Sequence, residues 1–190
     1  ILARLNEINE EMGTRYRAHW AILNAADYGV PQLRERVVIV GCRDGAPFTF
    51  PEASHGTEGC RYHTAWDALG DLPRTPNEPG IAMGGKWADL LPTIPEGQNY
   101  LWHTARGGGE PLFGWRRRYW SFLLKLAKDR PSWTIQAQPG SATGPFHWDN
   151  RKLGCREMAR LQTFPDDVTV TGSRQEVQRL IGNAVPSLLA

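Results

Sequence analysis

The sequence predicts an α/β chain in which short helices and a β-ribbon frame a long, irregular, β-containing stretch. Three observations carry that expectation. Leu2, Leu5, Ile8 and Met12 recur at helical spacing, with Gly13 as a stop. Val37–Val40 is a continuous β-branched run closed by Gly41, the pattern of a buried strand because polar alternation is absent. Glycine and proline, 20 and 14 of the 190 residues, concentrate between 44 and 115 and again at 139–145, where regular elements are hard to sustain.

The elements follow in order. The helix at the start ends at Gly13. Trp20–Leu23 reads as a short strand, and Asn24–Gln32, with Asp27, Gly29 and Pro31, as a turn. With the Val37 strand this makes a hairpin at a sheet edge. Beyond Asp44 the chain turns irregular, with one helix expected over Thr64–Leu72. Arg116–Lys128 sets Tyr119, Phe122, Leu123, Leu126 and Ala127 on one helical face and stops before Arg130-Pro131, since a residue preceding proline is pushed out of the helical region. Ser132–Ala137 alternates as a strand does. A helix over Arg156–Thr163 has Gly154 at its N-cap and Glu157 at N3, half of a capping box, and Phe164-Pro165 ends it. Gln175–Ile181 is the last helix, followed by Gly182-Asn183.

Composition removes several classes. With 41% apolar and 22% charged residues a packed core is expected and wholesale disorder is not. Apolar runs such as Val37–Val40 are far shorter than the ~20 residues of a membrane helix. Three cysteines, at 42, 60 and 155, are odd in number and widely spaced, which favours a reducing cytoplasm over a disulfide scaffold. His55, Cys60, His63 and Asp67 lie close in sequence, but their spacing fits no common zinc site, and no metal is expected. The chain opens inside a helical pattern without an initiator Met and stops within an apolar stretch, so a fragment of a longer protein is expected.

Charge is unevenly placed. Residues 1–100 carry a net −4, residues 101–160 a net +7 and residues 161–190 a net −1. The excess centres on Arg116-Arg117-Arg118-Tyr119-Trp120 and Lys125. A basic stretch interleaved with aromatics suits a phosphate backbone; an ion-paired helix face is the alternative.

Three segments carry chemistry. In Gln32-Leu33-Arg34-Glu35-Arg36 the period of two sends Gln32, Arg34 and Arg36 the same way, and converging guanidiniums suit an anionic or carbonyl-rich ligand. A surface charge ladder with Glu35 as counter-ion is the alternative. In Arg151–Asp166, Leu153, Met158, Leu161 and Phe164 form a core stripe, and Arg156 and Arg160 lie one turn apart on another face. In Ile181–Pro186, Gly182 permits close backbone approach and Asn183 offers both donor and acceptor; a helix C-cap is the bland reading.

In this order and spacing the three segments resemble the C-terminal part of the DNA (cytosine-5)-methyltransferases. That family has a glutamine–arginine–arginine element on a late hairpin, matched by Gln32, Arg34 and Arg36. It has an arginine–glutamate helix running into leucine–glutamine–threonine–phenylalanine–proline, matched by Arg156-Glu157 and Leu161–Pro165. Its glycine–asparagine–alanine–valine–proline element is matched by Gly182–Pro186. Thr134-Ile135 is similar to the threonine–aliphatic element of the family's recognition region.

The resemblance implies a remnant of a doubly wound, Rossmann-like sheet plus a smaller target-recognition domain. Residues 1–48 would close the catalytic domain, 49–165 would form the recognition domain and 166–190 would return to the first. It implies methyl transfer from S-adenosylmethionine to C5 of a cytosine flipped out of duplex DNA. Arg36 would hydrogen-bond the cytosine carbonyl, Arg34 and Gln32 would organise the catalytic loop, and Asn183 and Ala184 would border the cofactor. Thr134 and Ile135 would lie near the space the base leaves. Arg116, Arg117, Arg118 and Lys125 are expected phosphate contacts on the charge argument alone. The family's proline–cysteine nucleophile has no match here, because Gly41, Gly59 and Gly154 precede the cysteines. The fragment is therefore expected to be inactive by itself and to need an N-terminal catalytic half, with fragment dimerisation through exposed apolar surface as a possibility. A recognition subunit without chemistry is the rival reading.

Overall fold

The computed structural model describes residues 2–74 and 77–190. Helix α1 spans Leu2–Met12 and buries none of its residues. Strand β1 (Arg17–Asn24) pairs antiparallel with β3 (Glu35–Cys42), in register from Arg17 opposite Cys42 to Asn24 opposite Glu35. Between them a 3₁₀ turn, Ala25–Tyr28, closes on Gly29, whose φ of 85° is the left-handed value that glycine adopts without a Cβ clash.

The Val37–Val40 strand was expected to be buried, but no residue of the ribbon is, and one face is open. Trp20 faces Ile39 and Ile22 faces Val37 across the strands, and these four side chains are 42–63% exposed. The β-branched run makes strand as expected. Burial on both faces, however, needs covering layers, and this two-stranded sheet has only one neighbour per strand.

The core lies elsewhere. Strand β2 (Gln32–Leu33) pairs parallel with β4 (Ser132–Trp133). Helices α2 (Ala65–Leu69), α3 (Cys155–Leu161) and α4 (Arg174–Asn183) pack in series, α2 on α3 and α3 on α4. Ala65, Leu69, Leu126, Ile135, Met158, Leu161, Val177 and Ile181 form one buried cluster. Leu91, Ile94, Tyr100, Phe122, Leu123, Ala142 and Phe146 form a second, ringed by aromatics in edge-to-face contact. Thr64 caps α2 and Ser173 caps α4 through reciprocal boxes with Asp67 and Glu176. At α3 the cap is Gly154, so only the Glu157 half of the box operates, by accepting from the Gly154 N–H at 2.7 Å.

The expected helix over Arg116–Lys128 is not there. Six successive residues, Phe122–Ala127, are all buried, which a helix with one apolar face does not allow. The segment instead turns at Leu123, whose φ is 53°, and makes isolated bridges, Phe122 with Thr143 and Lys125 with Phe146, running from the second cluster into the first. Its Lys125 N–H donates to Gln98 and its Leu126 carbonyl accepts from Gly97 on one side; Leu123 N–H donates to Ala142 and Leu126 N–H to Phe146 on the other. A short apolar run reads equally as helix or buried strand by period, and here the flanking chain supplied partners for the non-helical form. The Ser132–Ala137 strand is likewise cut to Ser132–Trp133, because Thr134 turns its hydroxyl onto the Leu33 carbonyl at 2.8 Å. The helices near 64–72 and 156–163 are shorter than expected, ending at Leu69 and Leu161.

Candidate active site

The three chemistry-bearing segments converge on one buried knot. Asn24 begins it: its side-chain oxygen accepts from the Ala26 and Arg34 N–H groups, and Ala25 N–H donates to the Arg34 carbonyl at 2.9 Å. Arg34 is thereby held between β2 and β3, where the strand breaks. Its side chain runs inward, 3% exposed, and Nη2 donates to the carbonyls of Gly182 and Ala184 at 3.0 and 3.1 Å. Those oxygens lie at the C-terminal end of α4, where carbonyls lack helical partners and the helix dipole is negative, so a guanidinium is favoured there. Burial, and then the neighbouring charge of Arg36, lower the Arg34 pKa. Nε and Nη1 are buried without a hydrogen-bond partner among the described residues.

Gln32 is fully buried and joins two other strands of the knot. Its amide donates to the Leu161 carbonyl at the end of α3 at 3.2 Å, and its oxygen accepts from Ile135 N–H at 3.4 Å. Gln162, whose role the sequence reading missed, donates from its side-chain amide to the Ile181 carbonyl at 2.8 Å, and its backbone carbonyl accepts from Ser187 N–H. Gly182 lets α4 close on the segment after β4: a Cβ there would stand 2.6 Å from the Ala137 backbone nitrogen. The close approach expected of this glycine is thus real, and its neighbour is Ala137.

The expectation that Gln32, Arg34 and Arg36 share one environment needs correction. Period two does place Gln32 and Arg34 alike, in the interior. Arg36 sits where β3 has left the core; it is exposed, and Nη1 donates only to the Glu35 carbonyl at 2.6 Å. The Thr134-Ile135 pair also divides. Thr134 is half-buried, whereas Ile135 is a core residue at 2% exposure. Asn183 is exposed, with its side-chain amide unbonded among the described residues; Ala184 is half-buried and its carbonyl serves Arg34. Arg156 and Arg160 both pair with Asp166, at 3.0 and 2.6 Å, a bracing of α3 on the loop that follows it.

A second, exposed feature is the turn Arg116–Trp120. Its side chains are exposed while its backbone is pinned from below. The Tyr100 hydroxyl donates to the Arg118 carbonyl at 2.8 Å and accepts from the Arg118 N–H, and the buried Asn99 amide donates to the Trp120 carbonyl at 2.8 Å. Arg116 has φ 54°, a strained value for a residue with a Cβ. The guanidinium carbons of Arg106 and Arg116 lie 4.8 and 5.7 Å from the Trp115 ring centre, and that of Arg118 lies 5.4 Å from Phe122. None of Arg116, Arg117 and Arg118 has a carboxylate within ion-pair distance among the described residues, so the ion-paired alternative fails. The trio had been expected to include Lys125. That residue is 3% exposed and its ammonium donates to the Ile94 carbonyl, so it is withdrawn from the phosphate contacts.

Other candidates are occupied. His63 Nδ1 lies 2.8 Å from the Gly29 carbonyl, and Asp67 accepts from Arg61 and Thr64. Cys155 hydrogen-bonds the Glu78 carboxylate at 3.0 Å. Burial, that bond and the Glu78 charge push its thiol up to about 12, the wrong direction for a nucleophile. No helix among the described residues is long and apolar enough to cross a membrane.

Comparison with known proteins fits this geometry. The model of the C-5 cytosine-specific DNA methylase family matches residues 2–190. The chain is 48% identical to the type II methyltransferase M.SacI of Streptomyces achromogenes over 191 residues, covering 90% of this chain and 49% of that protein. It is 36% identical to M1.HphI of Haemophilus parahaemolyticus, covering 99% of this chain and 49% of the relative. The chain therefore spans about half the length of these relatives. The fold matches the crystal structures of the S. pombe Dnmt2 methyltransferase and of a prophage-encoded DNA modification methyltransferase from E. coli, with TM-scores of 0.61 and 0.58 at 12% and 20% identity. These cover 99% and 98% of this chain and 58% and 61% of those chains. The buried knot of Gln32, Arg34, Gln162 and Gly182 and these matches agree: the chain belongs to the C-5 cytosine-specific DNA methylase family.

Proposed function

We propose that this chain is the C-terminal portion of a DNA (cytosine-5)-methyltransferase that uses S-adenosylmethionine on a flipped cytosine in duplex DNA. The observation that carries the reading is the knot itself, in which three separated motifs are tied together while Arg36 is left exposed beside them. In the whole enzyme, a thiolate from the N-terminal half adds to C6 of the extruded cytosine. C5 then takes the methyl group, and loss of the C5 proton expels the thiolate. Arg36 donates to the cytosine carbonyl oxygen, where charge develops during thiolate attack. Arg34 fixes the end of α4, in keeping with a role in ordering the catalytic loop. Gln32 supports both from within. Asn183, its side-chain amide unbonded among the described residues, and Ala184 border S-adenosylmethionine, with the exposed Val185 beside them. When bound, that cofactor supplies an electrophilic methyl group.

The proposal includes the division into 1–48, 49–165 and 166–190, and a prokaryotic cytoplasm as the compartment. It also assigns the exposed Trp20–Ile39 and Ile22–Val37 face to the N-terminal half or, in its absence, to a second copy. The fragment alone does not methylate DNA, since its cysteines lack the family's setting. Co-expression with an N-terminal half carrying the proline–cysteine loop should restore transfer of labelled methyl groups to duplex DNA. Activity of the fragment alone, or failure of complementation with a folded partner, would count against this reading. The second reading, a recognition subunit without chemistry, draws on the pinned turn Arg116–Trp120; it calls for tight duplex binding without the partner and no complementation.

A further inference from the structure

A cavity of about 590 Å³ lies between the 137–146 loop and the first turn of α4, bordering the knot at Ile135 and Ala137. Its floor is apolar, from Ile135, Leu153 and Met158, and neutral polar side chains including Gln138, Ser141, Thr143 and Gln178 line its walls. Two cations, Lys152 and Arg174, line it as well, and no carboxylate does. Arg174 is oriented by its own neighbours: Nη2 donates to the Leu153 carbonyl at 2.6 Å and Nη1 to Gln178 at 3.2 Å. Among the described residues its Nε is buried without a hydrogen bond, and it forms a long ion pair, 3.7 Å, with a Glu78 oxygen that also accepts from the Cys155 thiol. The Lys152 ammonium has no hydrogen bond or ion pair among the described residues. Burial and then the Arg174 charge push its pKa down. An unpaired Lys152 and an Arg174 with only a long ion pair thus share one cavity, and an anion there would relieve the desolvation of Lys152 and its repulsion from Arg174.

We propose that this cavity is a phosphate-binding site in which Lys152 and Arg174 hold the oxyanion and the Ser141 and Thr143 hydroxyls complete its donors. It is wide enough for a phosphate with its attached sugar and much larger than a carboxylate needs. It is also continuous with the basic turn, because Thr143 Oγ1 lies 2.9 Å from the Tyr119 hydroxyl. The source of the phosphate is either the DNA backbone, which rests on the function proposed above, or a free phosphate or nucleotide, which does not.

Two titrations on the natural chain, Lys152→Met and the charge-preserving Lys152→Arg separate these cases. The first measures affinity for a duplex oligonucleotide against salt concentration. If a backbone phosphate enters the cavity, the log–log slope of Lys152→Met falls by roughly 0.9, one phosphate contact, and that of Lys152→Arg does not. The second measures the melting temperature in inorganic phosphate and in AMP against chloride at equal ionic strength. A rise in the natural chain that is absent in Lys152→Met identifies a free phosphate or nucleotide as the ligand, and it would do so even if the chain failed to bind DNA. An unchanged slope together with no phosphate-specific rise overturns the site. Should Lys152→Met not fold, Lys152→Gln replaces it, and the natural chain's response to phosphate remains a test by itself.

Discussion

Arg34 and the Arg116–Arg118 trio carry the same side chain into opposite settings. Arg34 is enclosed, spends Nη2 on two carbonyls at the end of α4, and closes a path from β2 to the last helix. The trio stands in solvent over aromatic rings, with its backbone fixed from beneath by Tyr100 and Asn99. In the first, the protein consumes the guanidinium to hold its own fold. In the second, it holds the backbone so that the guanidiniums stay available. Stability should therefore depend on the first and nucleic-acid affinity on the second, and exchanging those dependences would break the comparison.

The largest effect is expected at Arg34. Arg34→Met removes the donor from the Gly182 and Ala184 carbonyls and should cost on the order of 2–4 kcal/mol, read from the urea midpoint at constant slope. A loss below about 0.5 kcal/mol would mean that the helix end does not need this arginine. Gly182→Ala follows. Its methyl must displace the Ala137 backbone rather than a flexible side chain, at a cost of about 1–3 kcal/mol. The two residues act on one helix end, so the double variant should lose less than the sum of the singles.

The trio should behave in the reverse way. Arg116→Gln, Arg117→Gln and Arg118→Gln combined should leave stability within about 0.5 kcal/mol. Duplex affinity should fall, with the salt slope shallower by up to about 2.7 if each guanidinium neutralises one phosphate. A stability loss as large as that of Arg34→Met would show that the cation–π contacts are structural.

The two regions were unequally legible. The knot could be read because its motifs are local and ordered: Gln32, Arg34 and Arg36 announce a strand edge, and Gly182-Asn183 a helix end. What could not be read was who bonds whom. Gln162 looks like an ordinary polar residue after an amphipathic helix, and only the tertiary path past Ile181 shows its amide to be required. Asn24 reads in sequence only as the first residue of a turn, and its bond to Arg34 spans ten residues. The basic turn was legible as charge and opaque as structure. The same Phe122–Ala127 run satisfies a helical stripe and a buried irregular segment, and the choice was made by Gln98, Ala142 and Phe146, which no local window contains. The exposed ribbon face misled for the related reason that a β-branched run reports strand, while burial depends on what else is present to cover it.

Lys125 tests the boundary between the two classes, with the smallest expected effect. It has the composition of the basic turn and the environment of the knot, buried and bonded to the Ile94 carbonyl. Lys125→Met should therefore leave the duplex salt slope unchanged, where each residue of the trio lowers it. Its influence on stability should be about 1 kcal/mol or less, because a similarly shaped apolar side chain replaces a group that is costly to bury. The pH dependence gives the sharper reading. Burial lowers the folded pKa of this lysine below 10.5, against a smaller opposing effect of Glu96. Between the folded value and 10.5 the unfolded chain binds more protons than the folded one, so this group makes stability rise with pH across that window. The difference in unfolding free energy between the natural chain and Lys125→Met should shift in favour of the natural chain as the pH climbs toward 10.5. A difference that stays flat would mean that the ammonium is solvated in the folded protein, and Lys125 would then belong with the exposed arginines after all.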